Sequence, residues 1–324
     1  MGAAASVVRA LASGLLAWLA IQTLLFCLVQ AAPSGPAAAL SGDFATAETQ
    51  AAVVRSFDLD RPVLQRYEAF VVHMAQGDWG QSYHFRRSVA ELIGERLVPT
   101  LVLMLSALAI AAITGSALGL WAATNERGSA AAAFAAAATY ALPVFWVGQL
   151  LVLGLGFELR WFPLSGLSDP RPVEEGWKAW LDVGWHAVLP VMTLALQQAA
   201  FFVTIVLAKA RLELALGYVR ALRARGISEG AIVWRHVGRN VAPQIIVAVF
   251  NRVGMLFTGA VLVETLFAWP GLGRLLGSAI LNRDHPVLLG VFALVTAAVI
   301  VSNGLGDVLH ARLDPRIGAD REAT

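Results

Sequence analysis

Apolar residues occur along this chain in long runs that are separated by shorter polar stretches. The hydrocarbon core of a bilayer is about 30 Å thick, and a helix needs about 20 apolar residues to cross it. Six runs reach that length: residues 10–30, 98–123, 131–157, 187–208, 243–267 and 287–309. The pattern predicts an all-α integral membrane protein with six transmembrane helices. A composition of 58% hydrophobic and 14% charged residues excludes a soluble globular domain.

The polar stretch between the fourth and fifth runs, residues 209–243, is the one long interruption in the second half of the chain. It contains seven Lys or Arg residues and two acids. Apolar residues recur there at helical spacing and predict one stripe on a basic helix, namely Leu212, Leu216, Val219 and Leu222. Gly226 is the expected end of that helix, because glycine adopts the left-handed cap conformation most easily. Ser228 is expected to cap a following helix.

Lys and Arg residues predict the orientation, since they are enriched in cytoplasmic loops beside transmembrane helices. Twelve lie in the two terminal segments, the loop after the second run and residues 209–243, against five in the two short loops on the other side. The long loop 31–97 holds six more, and Arg86, Arg87 and Arg96 lie close enough to a helix to oppose this orientation. The balance predicts that both termini and the 209–243 loop are cytoplasmic.

The first apolar run, with Arg9 before it and a small-residue sequence at residues 29–33, also resembles a cleavable signal peptide. A signal peptide has an apolar core of about 7–15 residues, so the longer run favours a retained first helix. We therefore predict a first part, residues 1–97, with this helix and an extracytoplasmic segment. The second part, residues 98–324, is predicted to contain five transmembrane helices and the 209–243 loop.

The extracytoplasmic segment predicts an amphipathic helix that begins at Asp60-Arg61-Pro62 and ends at Gly77. Its apolar face is expected to comprise Val63, Tyr67, Phe70, Val71 and Met74. Ser88 and Glu91 predict a capping box at the start of the next helix. Taken alone, this segment is explained by a small lid that lies on the membrane.

Glycines inside the apolar runs predict close packing between helices, and they are Gly115, Gly119, Gly148, Gly154 and Gly156. Pro143 is expected to kink the third transmembrane helix. The one cysteine, Cys27, excludes an intrachain disulfide and is expected to be a small buried residue.

Polar residues inside the runs are candidates for function, because a charged side chain in the centre of a bilayer costs roughly 2.5–3.5 kcal/mol on insertion scales. Asn251 and Arg252 lie about ten residues into the fifth run, close to mid-bilayer. Arg252 either pairs with a neighbouring helix or lines a cavity and attracts a substrate carboxylate. Gln197 and Gln198 are interpreted as interhelical hydrogen-bonding groups or as part of the same pathway. Glu264 lies near the outer end of the fifth run.

The sequence indicates no catalytic site. It has no GxxxxGK[ST] phosphate loop, so the chain is not expected to hydrolyse nucleotide. Its six histidines show no HExxH or other paired spacing, so no metal site is expected. The basic residues flank the membrane runs rather than forming a separate basic domain, so no nucleic-acid partner is expected. We predict a non-catalytic membrane subunit without a cofactor.

Several stretches together resemble the permease subunits of ABC importers, specifically the dipeptide/oligopeptide/nickel branch. Three are GDWGQSYHFRRSVAELIGERLVPT from Gly77, YALPVFWVGQLL from Tyr140 and VETLFAWPGLGRLL from Val263. In the 209–243 loop the resemblance is carried by Tyr218, Arg220, Arg223, Arg225, Gly226, Ser228, Arg235, His236, Arg239 and Asn240. The Glu-Ala-Ala opening that is general among ABC importers is absent, since Arg220-Ala221-Leu222 stands there.

The resemblance implies the type I ABC-importer architecture in a bacterial cytoplasmic (inner) membrane. It also implies a second permease subunit, two cytoplasmic ATPases that bind ATP and Mg²⁺, and an extracytoplasmic solute-binding protein. The loop residues above would then contact an ATPase. Dipeptides, oligopeptides, peptide antibiotics, glutathione and nickel chelates remain open as substrates. The alternative is a secondary transporter not driven by ATP, which would more typically show an internal repeat with broken helices and buried acids.

Overall fold

A computed structural model of the chain describes residues 3–31, 61–169 and 176–313. Within these ranges the chain is helical and has no β-strand, with one isolated β-bridge between Gln81 and Ser88. The predicted all-α class is therefore confirmed. The predictions that concern Asp60, Arg171 and the last eleven residues of the chain lie outside the described residues.

The helices, in chain order, are α1 (Ala3–Ala31), α2 (Val63–Ala75), α3 (Val89–Ala122), α4 (Glu126–Ala141), α5 (Val144–Leu151), α6 (Trp177–Leu214), α7 (Gly217–Ala224), α8 (Glu229–Ala231), α9 (Gly238–Asn251), α10 (Val253–Leu266), α11 (Leu272–Leu281) and α12 (His285–Leu313). Two segments are wound as π-helix, and they are Val152–Glu158 after α5 and Ile232–Val237 between α8 and α9. The short apolar helix α11 has no counterpart among the six predicted spans.

Among the described residues, four helices are long and apolar enough to cross a membrane: α1, α3, α6 and α12. Two further helix pairs pass the same test but are bent, α4 with Val144–Glu158 by 96° and Glu229–Asn251 with α10 by 51°. If each bent pair is one span, the described chain has six, as the six apolar runs predict.

The two bends have different origins. Pro143 caps the start of α5, and the residue before it, Leu142, is extended at φ −76° and ψ 133°. This is the expected effect, because proline disfavours helical backbone in the residue that precedes it. The predicted kink at Pro143 is confirmed. The second bend lies at Arg252, inside the run 243–267 that was predicted as one continuous helix.

The contacts divide the chain into two compact units. Met1–Thr100 with Pro270–Val301 form unit 1, and Leu101–Trp269 with Ser302–Thr324 form unit 2. The predicted boundary between residues 97 and 98 separates the first membrane helix and the extracytoplasmic segment from the part with five membrane helices, and it stays a prediction.

Unit 1 is held together by contacts of α1 with α2 and α12. Trp18 Nε1 donates a hydrogen bond of 2.9 Å to the carbonyl oxygen of Ala293 in α12. The ring of Phe26 lies 5.4 Å from each of the rings of Tyr67 and Phe70 in α2. The amphipathic α2 is thus confirmed, except that Val63 lies exposed rather than on its apolar face.

Three other local predictions have outcomes in unit 1. Gly77 follows the end of α2 with a φ of +79°, as expected for a helix-ending glycine. Glu91, which was predicted to form a capping box with Ser88, pairs with Arg87 at 2.7 Å. The prediction that Cys27 is buried is wrong, because its side chain is exposed on α1.

In unit 2, α3 and α6 approach closely where α3 carries glycine. A Cβ added at Gly115 would lie 2.5 Å from the carbonyl oxygen of Ala199, and one at Gly119 would lie 3.0 Å from that of Val203. The predicted close packing is confirmed at these positions. It is wrong at Gly154, where an added Cβ would meet nothing within 4 Å.

The substitution Gly115→Ala tests this packing. It should destabilise the protein by about 1–3 kcal/mol, because the new methyl group overlaps backbone that cannot move aside. Gly154→Ala gains the same helix propensity without the overlap. The difference in the free energy of unfolding between the two variants therefore measures the cost of the overlap alone. Unfolding titrations with sodium dodecyl sulfate in mixed micelles measure it, and equal stability of the two variants would contradict the close approach.

Candidate functional site

The basic loop between α6 and α9 is built from two helices rather than from one basic helix with a continuous stripe. Helix α6 runs on to Leu214, and α7 begins at Gly217. The predicted stripe is therefore wrong, because Leu212 lies on α6 with 68% of its surface exposed and Leu216 precedes α7 with 47% exposed. Val219, which is fully buried, is the member of the stripe that anchors α7.

The turn after α7 has the geometry that the sequence predicts. Gly226 adopts a left-handed φ of +75°. Its N–H bonds to the carbonyl oxygen of Arg223 at 2.9 Å, and the N–H of Ile227 bonds to that of Leu222 at 3.2 Å. These two bonds form a Schellman motif. Ser228 then caps the next helix, accepting a hydrogen bond of 3.4 Å at its Oγ from the N–H of Ala231.

A buried apolar cluster fixes the loop to the ends of α3 and α6. Its buried members are Leu120, Val206, Ala210, Val219, Ile232, Val233, Val237 and Val241, and Leu222 and Ile227 pack against it. The cluster therefore joins α7, the π-helical segment and α9 to two membrane helices. Because apolar contacts of this kind are close-packed, a displacement of α7 is transmitted to α6 rather than absorbed.

A polar network lies beside this cluster and centres on Glu213, a residue that sequence analysis missed. The carboxylate oxygen Oε2 of Glu213 accepts hydrogen bonds from the hydroxyl of Tyr218 at 3.0 Å and from Nδ2 of Asn240 at 3.1 Å. Nζ of Lys209 lies 3.4 Å from Oε1. Three elements, α6, α7 and α9, thus meet at one carboxylate that is 9% exposed.

Tyr218 and Asn240 were singled out by resemblance, and the structure brings them together. Nδ2 of Asn240 lies 3.2 Å from the Tyr218 hydroxyl, so the two residues also contact each other. Burial, and then the hydrogen bond that it donates to Glu213, raise the pKa of Tyr218 above its ordinary value. The phenol is therefore neutral and remains a donor at physiological pH. The signal for Glu213 was available, since it is one of two acids in a basic loop.

The other acid of the loop, Glu229, pairs with Arg223. Nε of Arg223 lies 2.6 Å from Oε1 and Nη2 lies 3.1 Å from Oε2, which is a bidentate pair between the end of α7 and the start of α8. The hydrogen bond to Glu229 raises the pKa of Arg223 above its ordinary value. Arg223 thus links the two helices across the turn and is engaged within the loop.

The remaining cations of the loop face outward. Five arginines are exposed and make no ion pair with any part of the chain that the structure describes: Arg211, Arg220, Arg225, Arg235 and Arg239. His236 is half-buried in the π-helical segment beside Arg235. The loop therefore has a buried apolar and hydrogen-bonded side and a cationic exposed side.

An open cleft of about 960 Å³ lies next to the loop within unit 2. The loop end of its wall includes Lys209, Glu213, Tyr218, Arg239 and Asn240, and the membrane end includes Phe201, Val247 and Asn251. The Glu213 network is therefore part of the cleft wall. Asn251 is exposed there, so the structure puts this predicted pathway residue in contact with the cleft.

Arg252 lies at the bend between α9 and α10, and its side chain contacts α6. Its Nε donates a hydrogen bond of 2.8 Å to Oε1 of Gln198, which is 3% exposed. Its guanidinium carbon lies 3.9 Å from the centroid of the Phe201 ring, at cation–π distance. Of the two readings of Arg252, pairing with a neighbouring helix is thus observed. Its two terminal amino groups make no hydrogen bond within the described residues.

The other predicted pathway residues are not all gathered at this bend. Gln197 lies on another side of α6, where its Nε2 contacts the carbonyl oxygen of Leu142 at 3.4 Å. Glu264 is fully buried near the end of α10. In the described parts of the chain, no three His, Cys, Asp or Glu residues are arranged to hold a metal ion.

Comparison with known proteins gives two family matches. Residues 115–319 match the model of binding-protein-dependent transport system inner membrane components, and residues 5–104 match the model of their N-terminal part. A probable peptide ABC transporter permease of Sinorhizobium fredii is 29% identical over 96% of this chain and 98% of its own length.

Two further relatives have similar coverage. A putative peptide permease protein of Brucella ovis is 31% identical over 92% of this chain and 94% of its own. A glutathione transport system permease protein of Escherichia coli K12 is 32% identical over 92% of this chain and 93% of its own. These matches favour the ATP-driven permease over the secondary transporter considered from the sequence.

The variant Tyr218→Phe tests the Glu213 network. It removes the hydroxyl that bridges Glu213 and Asn240, and it should lower the free energy of unfolding by about 0.5–1.5 kcal/mol. Tyr140→Phe is the matched control, because Tyr140 is exposed and its hydroxyl makes no hydrogen bond in the described structure. The same detergent unfolding titration measures both variants, and an unchanged stability of Tyr218→Phe would contradict the network.

Proposed function

Because this chain belongs to the family of binding-protein-dependent transport system inner membrane components, we propose that it is the permease subunit of an ATP-driven importer of peptides or peptide-like solutes. The chain is a multi-pass inner-membrane protein of an ABC transporter system. The substrate proposal rests on relatives named as peptide and glutathione permeases that align over nearly the whole chain. Within that class, a nickel or glutathione importer remains the alternative, and glutathione is itself a peptide-like solute.

The proposed assembly contains a second homologous permease, two cytoplasmic ATPases that bind ATP and Mg²⁺, and an extracytoplasmic solute-binding protein. The chain itself is proposed to be non-catalytic and without a cofactor, since its sequence has no phosphate loop. Both termini and the loop are proposed to be cytoplasmic, which agrees with the excess of Lys and Arg in those segments.

The observation that carries the proposal is the two-sided loop around α7. Its exposed side carries cations that pair with no described residue, including Arg220 and Arg225, which suit an acidic groove on an ATPase. Its buried side is tied to α6 and α9 through Glu213, Tyr218 and Asn240. An ATPase that binds α7 with different contacts in its two nucleotide states would therefore bias the position of the membrane helices.

For the pathway, we propose that Arg252 binds a carboxylate of the solute. The bond to Gln198 and the stacking on Phe201 orient the guanidinium, and its two terminal amino groups are left to donate. Such a planar pair of donors matches the two oxygens of a carboxylate. Asn251, Gln197, Gln198 and Glu264 are proposed as the surrounding polar residues of the pathway.

Charge reversal on the exposed side of α7 tests the coupling. The double variant Arg220→Glu/Arg225→Glu should reduce uptake of a labelled peptide at least about tenfold, because it places like charges against an acidic groove. Insertion into the membrane should be unchanged, since neither side chain contributes to the buried cluster. The matched control is Arg127→Glu, an exposed arginine at the start of α4. Undiminished uptake by the double variant would contradict docking at α7.

The role of Arg252 is tested with substrate pairs that differ in one charge. Arg252→Gln should raise the KM for a peptide with a free C-terminus about tenfold or more, and leave the KM for the amidated peptide nearly unchanged. Arg252→Lys retains the positive charge without the paired guanidinium donors. Its KM for the peptide with a free C-terminus should lie between the values of the unmodified chain and of Arg252→Gln. An equal change in KM for both peptides would indicate that Arg252 is structural and does not bind the solute.

A further inference from the structure

A second, smaller pocket lies within unit 1. It has a volume of about 330 Å³ and lies between the end of α1, helix α2, the turn that follows α2 and the start of α12. Most of its wall is apolar, with Phe26, Phe70, Trp79, Pro286 and Leu289 around it. A pocket of this size suits a small molecule or a lipid headgroup and is too small for a folded protein.

Two polar atoms in the lining of this pocket are buried and have no hydrogen-bond partner among the residues that the structure describes. They are Nε of Arg66, on α2, and Nδ1 of His285, at the start of α12. Buried polar groups in native proteins are nearly always paired, because an unpaired one costs about 1–3 kcal/mol and more when charged. Nε of Arg66 can only donate, so its missing partner is an acceptor, and Nδ1 of His285 can donate to the same acceptor in the tautomer that protonates this nitrogen.

The acids nearest to the pocket are already engaged and do not supply that acceptor. Asp284 accepts hydrogen bonds from the hydroxyl of Ser82 and from the backbone N–H groups of Tyr83 and His84, the latter two at 3.1 Å. Asp78, in the pocket wall, accepts one from the N–H of Gly80 at 3.0 Å and lies 3.0 Å from Nδ1 of His73. Arg66 forms no ion pair with any described residue.

Tyr83 adds a neutral hydroxyl to the same wall. Burial, reinforced by the charge of Asp284 and opposed by that of Arg66, raises the pKa of Tyr83 to about 12. The phenol is therefore protonated at physiological pH and does not supply a negative charge that would neutralise Arg66. The lining of the pocket includes the guanidinium groups of Arg61 and Arg66 against one carboxylate, that of Asp78, so its formal charge is positive.

We propose that this pocket binds an oxyanion that is attached to an apolar or aromatic body. The oxyanion accepts hydrogen bonds from Arg66 and His285, and the apolar part packs against the aromatic wall. Two sources carry this chemistry: the terminal carboxylate of a short peptide and the phosphodiester of an acidic phospholipid. The inference does not depend on the proposed transport function, because it rests on unit 1 alone.

Native mass spectrometry of the full-length chain, released from detergent, distinguishes the two sources by the mass of the species that stays bound. Each acidic probe is paired with a neutral one that lacks the oxyanion: N-acetyl-Ala-Phe with N-acetyl-Ala-Phe amide, and dioleoyl phosphatidylglycerol with dioleoylglycerol. We expect one acidic probe to bind at least about tenfold more tightly than its neutral counterpart, as for a charge-assisted hydrogen bond.

Variants of Arg66 connect that preference to the pocket. Arg66→Gln should abolish it, whereas Arg96→Gln, which removes a cation outside the pocket, should retain it. Arg66→Lys keeps the positive charge and serves as the control in case Arg66→Gln fails to fold. It should retain only part of the preference for the acidic probe, because lysine lacks the Nε–H donor. Equal binding of acidic and neutral probes to the unmodified chain, or a preference that survives in both Arg66 variants, would overturn the proposal.

Discussion

The carboxylate of Glu213 is the point at which the loop is joined to the membrane helices. A nearly buried carboxylate is stable when hydrogen bonds and a nearby cation compensate its lost hydration. Here Tyr218 and Asn240 supply the hydrogen bonds and Lys209 supplies the charge. Removal of any one partner leaves a buried charge less compensated, so α6, α7 and α9 are held in one arrangement. The apolar cluster around Val219 reinforces the same junction.

This junction explains how the loop can have two different sides. Arg223 and Glu229 neutralise each other across the turn after α7. Glu213 is bound to Tyr218 and Asn240 on the buried side of the loop. The exposed cations, Arg220 and Arg225 among them, are thus left for a partner. Under the proposed function, a force on α7 reaches α6, and from there Gln198, which holds Arg252 at the bend of the fifth span. The loop and the polar centre of the membrane region are connected through one helix.

Much of the fold could be predicted from the sequence, because long apolar runs and a proline act locally. Gly226 and Ser228 are likewise local signals, and both took their predicted geometry. What failed depends on tertiary contacts. The bend at Arg252 arises where a polar side chain reaches α6, and the stripe through Leu212 was misread because α6 and α7 are interrupted between them. Glu213 was missed because its importance lies in partners that are distant along the chain.

The central claim, that α7 transmits the movement of an ATPase to the membrane helices, is tested most directly by site-specific disulfide crosslinking in the assembled transporter. Cys27 is first replaced by serine, and cysteine is then introduced at Arg225 and on the facing groove of the ATPase. We predict a crosslink to the ATPase in the absence of nucleotide and in its presence, and loss of transport once it forms. The account would be contradicted if the cysteine introduced at position 225 formed no crosslink to the ATPase. It would also be contradicted if a membrane-impermeant thiol reagent added outside the cell modified that cysteine.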